Sequence, residues 1–331
     1  MTDRIKIAIN GFGRIGRSIL RALLTTRSDV PFEIVLINDI ADVDLCAYLF
    51  EFDSVFGVFD QDIAVEGSNV TFGNITIPFT QAADLRDLDL SGVDLVIEST
   101  GRSKDRDFAE RGLRAGAQRV LISGPCTTAD LTYVLGANDD ALSDQQVVSN
   151  ASCTTNALAP LLKVLDTGFG IKSGHMTTIH CYTSSQPTID APRGDFARSR
   201  AAALSMVPTT TSAAKLIDTV LPDLAGRVVG CAVRVPTASV SAVDLTVQLS
   251  REVSLEEIQA ALRSAEGPII GLTDRPLVST DLRARPESIV MAMPETTVLP
   301  DGLVRVFGWY DNEWGFSNRM IDVALRMGPV R

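Results

Sequence analysis

Strand-like and helix-like patterns alternate along the first half of the chain. Short apolar runs rich in β-branched residues cover 5–10, 33–39, 93–99 and 119–123, and helical spacing of apolar residues covers 14–26, 43–50 and 105–116. Strands separated by helices are typical of a parallel sheet with helices on both faces. The pattern therefore predicts a doubly wound α/β domain in this half.

The pattern changes near residue 150. We predict a helix over 154–165 and a strand over 176–183, followed by a long, polar and irregular segment over 184–208. Apolar and polar residues then alternate over 240–249, as in an antiparallel sheet with one face in water. The second half is therefore predicted to be α+β with a mostly antiparallel sheet. Its remaining predicted elements are a helix over 255–262, a strand over 303–310 and a helix over 316–327.

Composition narrows the class of function. The 331 residues are 45% hydrophobic and 21% charged, so a buried core is feasible. There are 41 acidic and 30 basic residues, and the resulting net charge of −11 argues against nucleic acid or an anionic membrane as the main partner. A site for an anionic ligand must therefore be a local positive feature.

Cysteine usage and the N-terminus indicate the compartment. The five cysteines are scattered and form no C-x-x-C pair, so neither a disulfide framework nor a bound metal is expected. No apolar run is long enough to span a bilayer, and the N-terminus leads directly into a strand without a signal-peptide pattern. We therefore expect a cytoplasmic protein with no membrane partner.

A glycine-rich turn marks a dinucleotide site. Gly11, Gly13 and Gly16 form a G-x-G-x-x-G that follows a predicted strand and opens a predicted helix. In this context the first glycine allows the tight turn, the second lets backbone approach a pyrophosphate and the third lets helix and strand pack closely. Asp39 ends the next strand, where a carboxylate can bind the ribose hydroxyls and repel a 2′-phosphate, which favours NAD over NADP. The structural alternatives are a plain tight turn and an aspartate that caps a loop.

Cys153 and His180 are the candidate catalytic residues. Cys153 lies where small and polar residues precede a helical run, and a thiol at a helix start is expected to have a lowered pKa. His180 lies near the end of a predicted strand, and His175 is the weaker candidate. The alternatives are a buried small hydrophobe and a histidine bonded to backbone.

The chain resembles the glyceraldehyde-3-phosphate dehydrogenase family over essentially its whole length. The matching segments are INGFGRIGR (9–17), EFDSVFG (51–57), ESTG (98–101), SNASCTTNALAP (149–160), RVPT (234–237) and WYDNEWGFSNRM (309–320), with a looser match at 200–215. The resemblance implies that Cys153 attacks the aldehyde, that His180 acts as its base, and that inorganic phosphate cleaves the resulting thioester to an acyl phosphate.

The resemblance also implies the remaining site residues. One phosphate pocket would contain Ser152, Thr154, Thr211 and Ser212, and the other Thr183 and Arg234, assisted by Arg200, with Arg198 as the second candidate. The NAD-binding residues would be Gly11, Gly13, Arg14, Ile15, Gly16, Asp39, Thr100, Gly101, Ser123 and Asn312.

The family also implies the organisation of the chain. We expect a Rossmann-type NAD-binding domain over 1–152, a catalytic domain over 153–317, and a C-terminal helix over 318–331 that packs back on the first domain. The segment 184–208 would reach a neighbouring subunit of a homotetramer.

Several positions depart from the family pattern. Ser212 replaces a glycine of the phosphate pocket, Cys181 lies beside the base, and Phe316 replaces a tyrosine. These departures keep two alternatives open: an erythrose-4-phosphate dehydrogenase, and a redox-sensing or regulatory paralogue with little activity. Thr183 and Thr211 match the phosphorolytic pattern, which weakens the first alternative, and the intact Cys153 and His180 weaken the second.

Overall fold

The computed structural model of the protein describes residues 4–103 and 105–329. The chain divides into two compact units. The first contains Met1–Tyr133, Asp140–Ala151 and Ser317–Arg331, and the second contains Val134–Asp139 and Ser152–Phe316.

The first unit is built on a nine-stranded sheet whose strand order is β10-β11-β9-β8-β1-β2-β7-β6-β5. Its first seven strands are parallel and its last two pairs are antiparallel. The predicted parallel α/β sheet is therefore confirmed. The elements are β1 (Ile5–Asn10), α1 (Arg14–Leu24), β2 (Phe32–Asn38), α2 (Val43–Glu51), β3 (Phe52–Asp53), β4 (Gly57–Val58), β5 (Ile63–Glu66), β6 (Asn69–Phe72), β7 (Ile75–Thr80), β8 (Leu95–Glu98), α3 (Arg106–Ala109), α4 (Arg111–Arg114), β9 (Arg119–Ile122), β10 (Leu131–Thr132) and β11 (Val147–Ser149).

The prediction of one continuous helix over 105–116 is wrong. The segment forms two short helices, α3 and α4, which meet at Glu110, where φ is −85° and ψ is −1°. Just after the break, a Cβ on Gly112 would lie 3.0 Å from a methyl of Val96 and 3.1 Å from one of Val120. The backbone here therefore approaches the sheet more closely than a helix with side chains on every face would allow.

The second unit contains an eight-stranded sheet of order β13-β14-β12-β15-β19-β17-β16, with β18 paired to β19. Five of its pairs are antiparallel, whereas β12–β14 and β16–β17 are parallel. The predicted, mostly antiparallel sheet is confirmed. The elements are α5 (Cys153–Phe169), β12 (Ile171–Cys181), β13 (Val207–Thr209), α6 (Ala213–Val220), β14 (Val228–Val235), β15 (Ser241–Leu249), α7 (Leu255–Ser264), β16 (Ile270–Thr273), β17 (Ile289–Ala292), β18 (Thr297–Leu299), β19 (Leu303–Tyr310) and α8 (Trp314–Met327).

Burial explains why the central strands of this sheet form where they do. Val243, Leu245, Val247 and Leu249 of β15 are buried, and the polar residues between them are only partly so. The strand expected at 176–183 instead begins at Ile171 and ends at Cys181. The segment expected to be irregular over 184–208 contains a single 3₁₀ turn, Ala197–Ser199, and leads into β13.

Helix α8 belongs to the first unit from Ser317 onward. Within that unit, Arg27 Nη2 lies 2.7 Å from Asp322 Oδ1, and Arg119 donates a hydrogen bond to the carbonyl of Met327. These contacts tie the end of the chain to the turn after α1 and to β9. Among the described residues, no helix is long and apolar enough to cross a membrane.

Candidate active site

Cys153 is the first residue of α5. Ser152 caps this helix, since its side chain accepts a hydrogen bond from the Thr155 backbone N–H at 3.1 Å. Small polar residues at the N-cap satisfy backbone donors that otherwise lack partners. The local sequence therefore places the thiol at the positive end of a seventeen-residue helix.

His180 meets Cys153 although 27 residues separate them. Its Nε2 lies 3.7 Å from Cys153 Sγ, and its ring is buried, with 6% of the residue exposed. Burial, assisted by the nearby charge of Arg234, lowers the pKa of His180 from 6.5 to about 4. The imidazole is therefore neutral at neutral pH, as a proton acceptor must be.

The pKa of the Cys153 thiol is shifted in the direction opposite to the one expected from the sequence. Burial raises its pKa, and the charge of Arg234 opposes this only in part. Desolvation thus outweighs the helix terminus, which was expected to lower the pKa. Both shifts favour the neutral forms of the pair, a thiol and an imidazole.

The pair lines a cavity of about 400 Å³ in the second unit. In the described part of the chain, its lining holds two arginines and no carboxylate. This is the local positive feature that an anionic ligand needs in a protein with a net charge of −11. The lining residues are Ser152, Cys153, Thr154, Thr178, His180, Arg198, Thr210, Thr211, Ser212, Ala232 and Arg234.

The structure gathers five of the seven expected phosphate-binding residues in this lining: Ser152, Thr154, Thr211, Ser212 and Arg234. Thr183 and Arg200 do not line it. Arg200 is 65% exposed along its side chain, and its Nε lies 2.7 Å from Asp190 Oδ2. The hydroxyl of Thr183 lies 2.9 Å from that of Ser185.

Arg198 occupies the cavity that Arg200 was expected to enter. Its Nε donates to Thr209 Oγ1 at 2.7 Å, and its Nη2 donates to the carbonyl of Thr210 at 3.2 Å. These contacts fix the guanidinium at the cavity wall while leaving N–H groups for an anion.

Sequence reasoning missed a buried hydroxyl cluster behind the thiol. The Tyr310 hydroxyl lies 2.8 Å from both Thr154 Oγ1 and Thr178 Oγ1, and the Tyr310 and His180 rings are 6.0 Å apart. Tyr310 belongs to the motif WYDNEWG, whose specificity was a signal that this strand end supports the site.

The glycine turn of the first unit has the geometry of a dinucleotide site. Gly11 has a φ of +93°, and a Cβ there would lie 2.7 Å from the backbone of Ser99 and Thr100. A Cβ on Gly16 would lie 2.2 Å from the Gly11 carbonyl oxygen. A Cβ on Gly13, by contrast, meets no protein atom within 4 Å, so Gly13 faces open space. Two glycines are thus required by packing, and the third leaves room for a ligand at the start of α1.

Gly13 is also the N-cap of α1 and has no side chain to cap it, and the first helical turn carries no acidic residue. Arg14 and Ile15 begin this helix, so their backbone N–H groups point toward the space in front of Gly13. The Arg14 side chain forms an ion pair with Asp53, so at this position the backbone N–H rather than the guanidinium faces the space in front of Gly13.

Asp39 borders the same cavity, of about 270 Å³, together with Gly11, Gly13 and Thr100. Its Oδ2 accepts from the Phe12 N–H at 2.6 Å and its Oδ1 from the Ala41 N–H at 2.9 Å. Asp39 therefore does cap a loop, as the structural alternative held. A carboxylate has about four acceptor positions, so two remain for ribose hydroxyls.

Three further residues that the family resemblance implies for the cofactor, Gly101, Ser123 and Asn312, lie outside this cavity. Gly101 and Ser123 line a second cavity of the first unit, beside Glu98. Glu98 is buried and accepts hydrogen bonds from Asn10 and Thr100, and burial raises its pKa. In the second unit, Asn312 Oδ1 accepts from Ser241 Oγ and from Cys181 Sγ, each at 3.2 Å, which leaves Nδ2 as the donor that it can offer to a ligand.

Two family models match the chain. The glyceraldehyde 3-phosphate dehydrogenase NAD binding domain matches residues 5–106, and the C-terminal domain of the same enzyme matches residues 152–312. The protein is thus an NAD-dependent oxidoreductase with a Rossmann-type cofactor domain. A relative from Xanthobacter flavus named glyceraldehyde-3-phosphate dehydrogenase is 49% identical, covering 98% of this chain and 99% of its own length.

Relatives of the same name show the same extent of similarity. One from Cereibacter sphaeroides is 47% identical over 98% of this chain and 99% of its own length. One from Bacillus subtilis, glyceraldehyde-3-phosphate dehydrogenase 1, is 44% identical over 97% of each chain. The chain belongs to the glyceraldehyde-3-phosphate dehydrogenase family.

Proposed function

We propose that this protein oxidises D-glyceraldehyde 3-phosphate with NAD and inorganic phosphate to give 1,3-bisphosphoglycerate. The observation that carries the proposal is the contact between Cys153 Sγ and His180 Nε2, 3.7 Å apart in a cavity lined by Arg198 and Arg234. A nucleophile, a neutral base and two guanidinium groups are what a phosphorylated aldehyde requires.

The chain's own residues perform the proton and acyl chemistry. Cys153 Sγ bonds to the aldehyde carbon as its proton passes through His180 to the aldehyde oxygen, which gives a thiohemiacetal. His180 Nε2 then takes the hydroxyl proton as the carbon loses a hydride, and the thiohemiacetal becomes a thioester. Bound NAD supplies the hydride acceptor. Attack by inorganic phosphate on the thioester carbon breaks the C–S bond and releases the acyl phosphate. The departing Cys153 sulfur takes the proton held by His180, and the proton of the attacking phosphate passes to solvent.

Two groups of residues hold the two phosphates in this proposal. Ser152, Thr154, Thr211 and Ser212 bind the attacking inorganic phosphate through hydroxyl and backbone groups. Arg234 and Thr183 bind the phosphate of the substrate, and Arg198 assists because it already lines the cavity. Arg200 can contribute only if it leaves Asp190, since the two side chains form an ion pair.

The cofactor residues are proposed in the same way. Gly13 and the backbone of Arg14 and Ile15 hold the pyrophosphate, and Gly11 and Gly16 shape the turn that presents them. Asp39 takes the ribose hydroxyls, which favours NAD over NADP. Thr100, Gly101, Ser123 and Asn312 complete the set.

We also propose that the protein forms a homotetramer and resides in the cytoplasm. The segment 184–208 carries four exposed apolar side chains, Ile189, Phe196, Leu204 and Met206, whose burial against another subunit would be favourable. The five cysteines are all free, which suits a reducing compartment.

Cofactor reduction with D-glyceraldehyde 3-phosphate tests the proposal. We expect NAD to be reduced in the presence of inorganic phosphate, and Cys153→Ser to abolish this. Cys231→Ser is the matched control, because Cys231 lies outside the cavity lining and its change should leave turnover intact.

The two alternatives correspond to other outcomes of the same assay. Turnover independent of phosphate and fastest with erythrose 4-phosphate would identify a hydrolytic dehydrogenase. Absence of turnover, with NAD still bound and Cys153 reactive toward peroxide, would identify a redox-sensing paralogue. The relatives described above are all named for the three-carbon aldehyde and so favour neither alternative.

A further inference from the structure

Four neighbouring strands of the first unit each end in a polar residue, and side-chain hydrogen bonds join these residues. β7 ends at Thr80, β2 at Asn38, β1 at Asn10 and β8 at Glu98, and each is the register partner of the next. The Thr80 hydroxyl donates to Asn38 Oδ1, and Asn38 Nδ2 donates to Asn10 Oδ1, each at 2.8 Å. Asn10 Nδ2 in turn donates to Glu98 Oε2. A polar chain therefore crosses the carboxyl edge of the sheet and ends on a carboxyl group.

The backbone sets the direction of this polar chain. The Ala82 N–H donates to Asn38 Oδ1 at 2.9 Å, so that atom is the amide oxygen and Nδ2 faces Asn10. Asn10 Oδ1 is thereby used as the acceptor, which leaves Nδ2 for Glu98. The Thr100 N–H, at 2.9 Å, and the Thr100 hydroxyl donate to Glu98 Oε1. Each of these groups offers a hydrogen to Glu98, as an ionised carboxylate requires.

Glu98 is a buried acid held by neutral groups. It is 3% exposed, and its hydrogen-bond partners are the amide of Asn10, the N–H and hydroxyl of Thr100, and the hydroxyl of Ser103. Burial raises the pKa of Glu98, and these hydrogen bonds oppose that rise. A buried carboxylate held by neutral donors still gains from a cation placed beside it, because the charge is poorly compensated inside the protein.

The order of the strands indicates which part of the cofactor lies over Glu98. Ligands of such sheets lie across the carboxyl ends of the strands. Asp39 follows β2, and Gly11 and Gly13 follow β1; they line the cavity proposed above for the adenosine ribose and the pyrophosphate. The next strands in that direction are β8, which ends at Glu98, and β9, which precedes Ser123. A dinucleotide that extends from β2 across β1 therefore brings its nicotinamide half to β8 and β9.

A cavity of about 490 Å³ lies at these two strand ends. Glu98 lines it together with Gly101 and Ser123, the two residues already assigned to the cofactor on other grounds. The other lining residues are uncharged: Ser103, Ile122, Gly124, Pro125 and Thr127. Within the described residues, the charge of this lining is therefore that of Glu98.

We propose that Glu98 makes the site favour the oxidised form of the cofactor over the reduced form. The nicotinamide ring carries a positive charge in oxidised NAD and is neutral in NADH, whereas both forms share the same phosphates, riboses and adenine. A carboxylate in the cavity that receives the ring stabilises only the charged form. Glu98 is thus a specificity-determining residue, and the polar chain keeps its carboxylate ionised at the edge of the sheet. The inference rests on the placement of the cofactor in the proposed function.

Binding of both cofactor forms to the full-length protein tests the proposal without turnover. Calorimetric titration gives the Kd of oxidised NAD and the Kd of NADH. We expect wild type to bind oxidised NAD at least as tightly as NADH, although the charged ring costs more to remove from water. Wild type that binds NADH about tenfold more tightly would overturn the proposal. This comparison needs no variant, so it remains decisive if a change at Glu98 prevents folding.

Substitutions of Glu98 test the charge itself. Glu98→Gln removes the charge with little change in size, and the ratio of the Kd of oxidised NAD to that of NADH should rise about tenfold, even if both constants rise. Glu98→Asp keeps a carboxylate and should keep the ratio within about twofold of wild type. An unchanged ratio in Glu98→Gln would overturn the proposal and leave Glu98 with a structural role alone.

Two further variants separate the charge of Glu98 from its surroundings. Asp39→Asn removes a carboxylate from the adenosine end of the cofactor, so it should weaken both forms alike. Thr80→Val removes the first donor of the polar chain but no charge, and it should also leave the ratio unchanged. A ratio that rises in either variant as much as in Glu98→Gln would contradict the proposal. A protein with the expected ratios that fails to oxidise the aldehyde would contradict the proposed function and leave this inference standing.

Discussion

The hydroxyl of Tyr310 lies 2.8 Å from Thr154 Oγ1, so a buried side chain at the end of β19 fixes the rotamer of the residue after Cys153. The same hydroxyl reaches Thr178 Oγ1, on the strand that carries His180. One phenol group therefore joins the helix of the nucleophile to the strand of the base.

Replacement of Tyr310 by phenylalanine should lower the stability of the folded protein measurably. The change removes one hydrogen bond from each of two buried threonine hydroxyls, and we expect the free energy of unfolding to fall by about 1–2 kcal/mol. Urea denaturation measures this. Tyr48→Phe, on an exposed tyrosine, is the control and should change little; equal losses in both variants would contradict the assigned role.

Gly13 and Gly16 should respond differently to alanine. Gly16→Ala places a Cβ against the Gly11 carbonyl, so the free energy of unfolding should fall by roughly 1–3 kcal/mol. The added Cβ of Gly13→Ala meets no protein atom, so the melting temperature should not change. The affinity for NAD, measured by calorimetry, should fall about tenfold or more, because the Cβ enters the space expected for the pyrophosphate. Unchanged NAD affinity in Gly13→Ala would show that the pyrophosphate lies elsewhere.

His180 should make the protein less stable in mild acid. Its folded pKa of about 4 lies below the unfolded value of 6.5, so between these values the unfolded chain binds more protons than the folded one. The free energy of unfolding therefore falls as pH falls through this window, and we expect this group to account for a loss of about 2 kcal/mol between pH 7.5 and 5.

Urea unfolding of two histidine variants at pH 7.5 and at pH 5 shows whether His180 causes this loss of stability. His180→Gln should lose about 2 kcal/mol less than wild type over the same interval. His175→Gln, on an exposed residue of the same strand, should lose as much as wild type. Identical losses in His180→Gln and wild type would rule out a buried neutral imidazole.

Asp39 should control the choice of cofactor. Asp39→Asn keeps an acceptor for the Phe12 N–H but removes the charge that repels a 2′-phosphate. We expect the ratio of kcat/KM for NAD to that for NADP to fall by about tenfold. Asp42→Asn, which caps α2 through Leu45 N–H, is the matched control, and a similar fall there would point to general disruption of the loop.

Local pattern predicted the long, half-buried elements well. The strands at 5–10 and 303–310 have the predicted bounds, and β15 begins one residue after the predicted start. The short antiparallel strands β5 and β6 were missed because four residues carry little periodicity. Their pairing depends on β7, which reaches the parallel sheet only through two residue pairs with β2.

The site was predictable in its residues and less so in its geometry. The motifs around Cys153 and His180 indicated the chemistry, but only the packing of α5 on β12 shows that the two side chains meet. Arg198 and Arg200 lie two residues apart around a 3₁₀ turn. The family resemblance favoured Arg200 as the phosphate ligand, but it is Arg198 that lines the cavity. The ion pair with Asp190, a contact within the loop itself, decides that outcome.

The parallel pairing of β12 with β14 has a consequence for how such a protein can change. Parallel neighbours require a long crossover, and here it runs from Cys181 to Val228 and supplies Arg198, Thr211 and Ser212 to the cavity. Insertions or exchanges in that connection would change the cavity lining, whereas the register that holds His180 beside Arg234 is set by the backbone hydrogen bonds of β12 with β14 and β15. One domain therefore builds its cavity in two ways, with three lining residues on a surface connection and two, His180 and Arg234, on paired strands of the sheet.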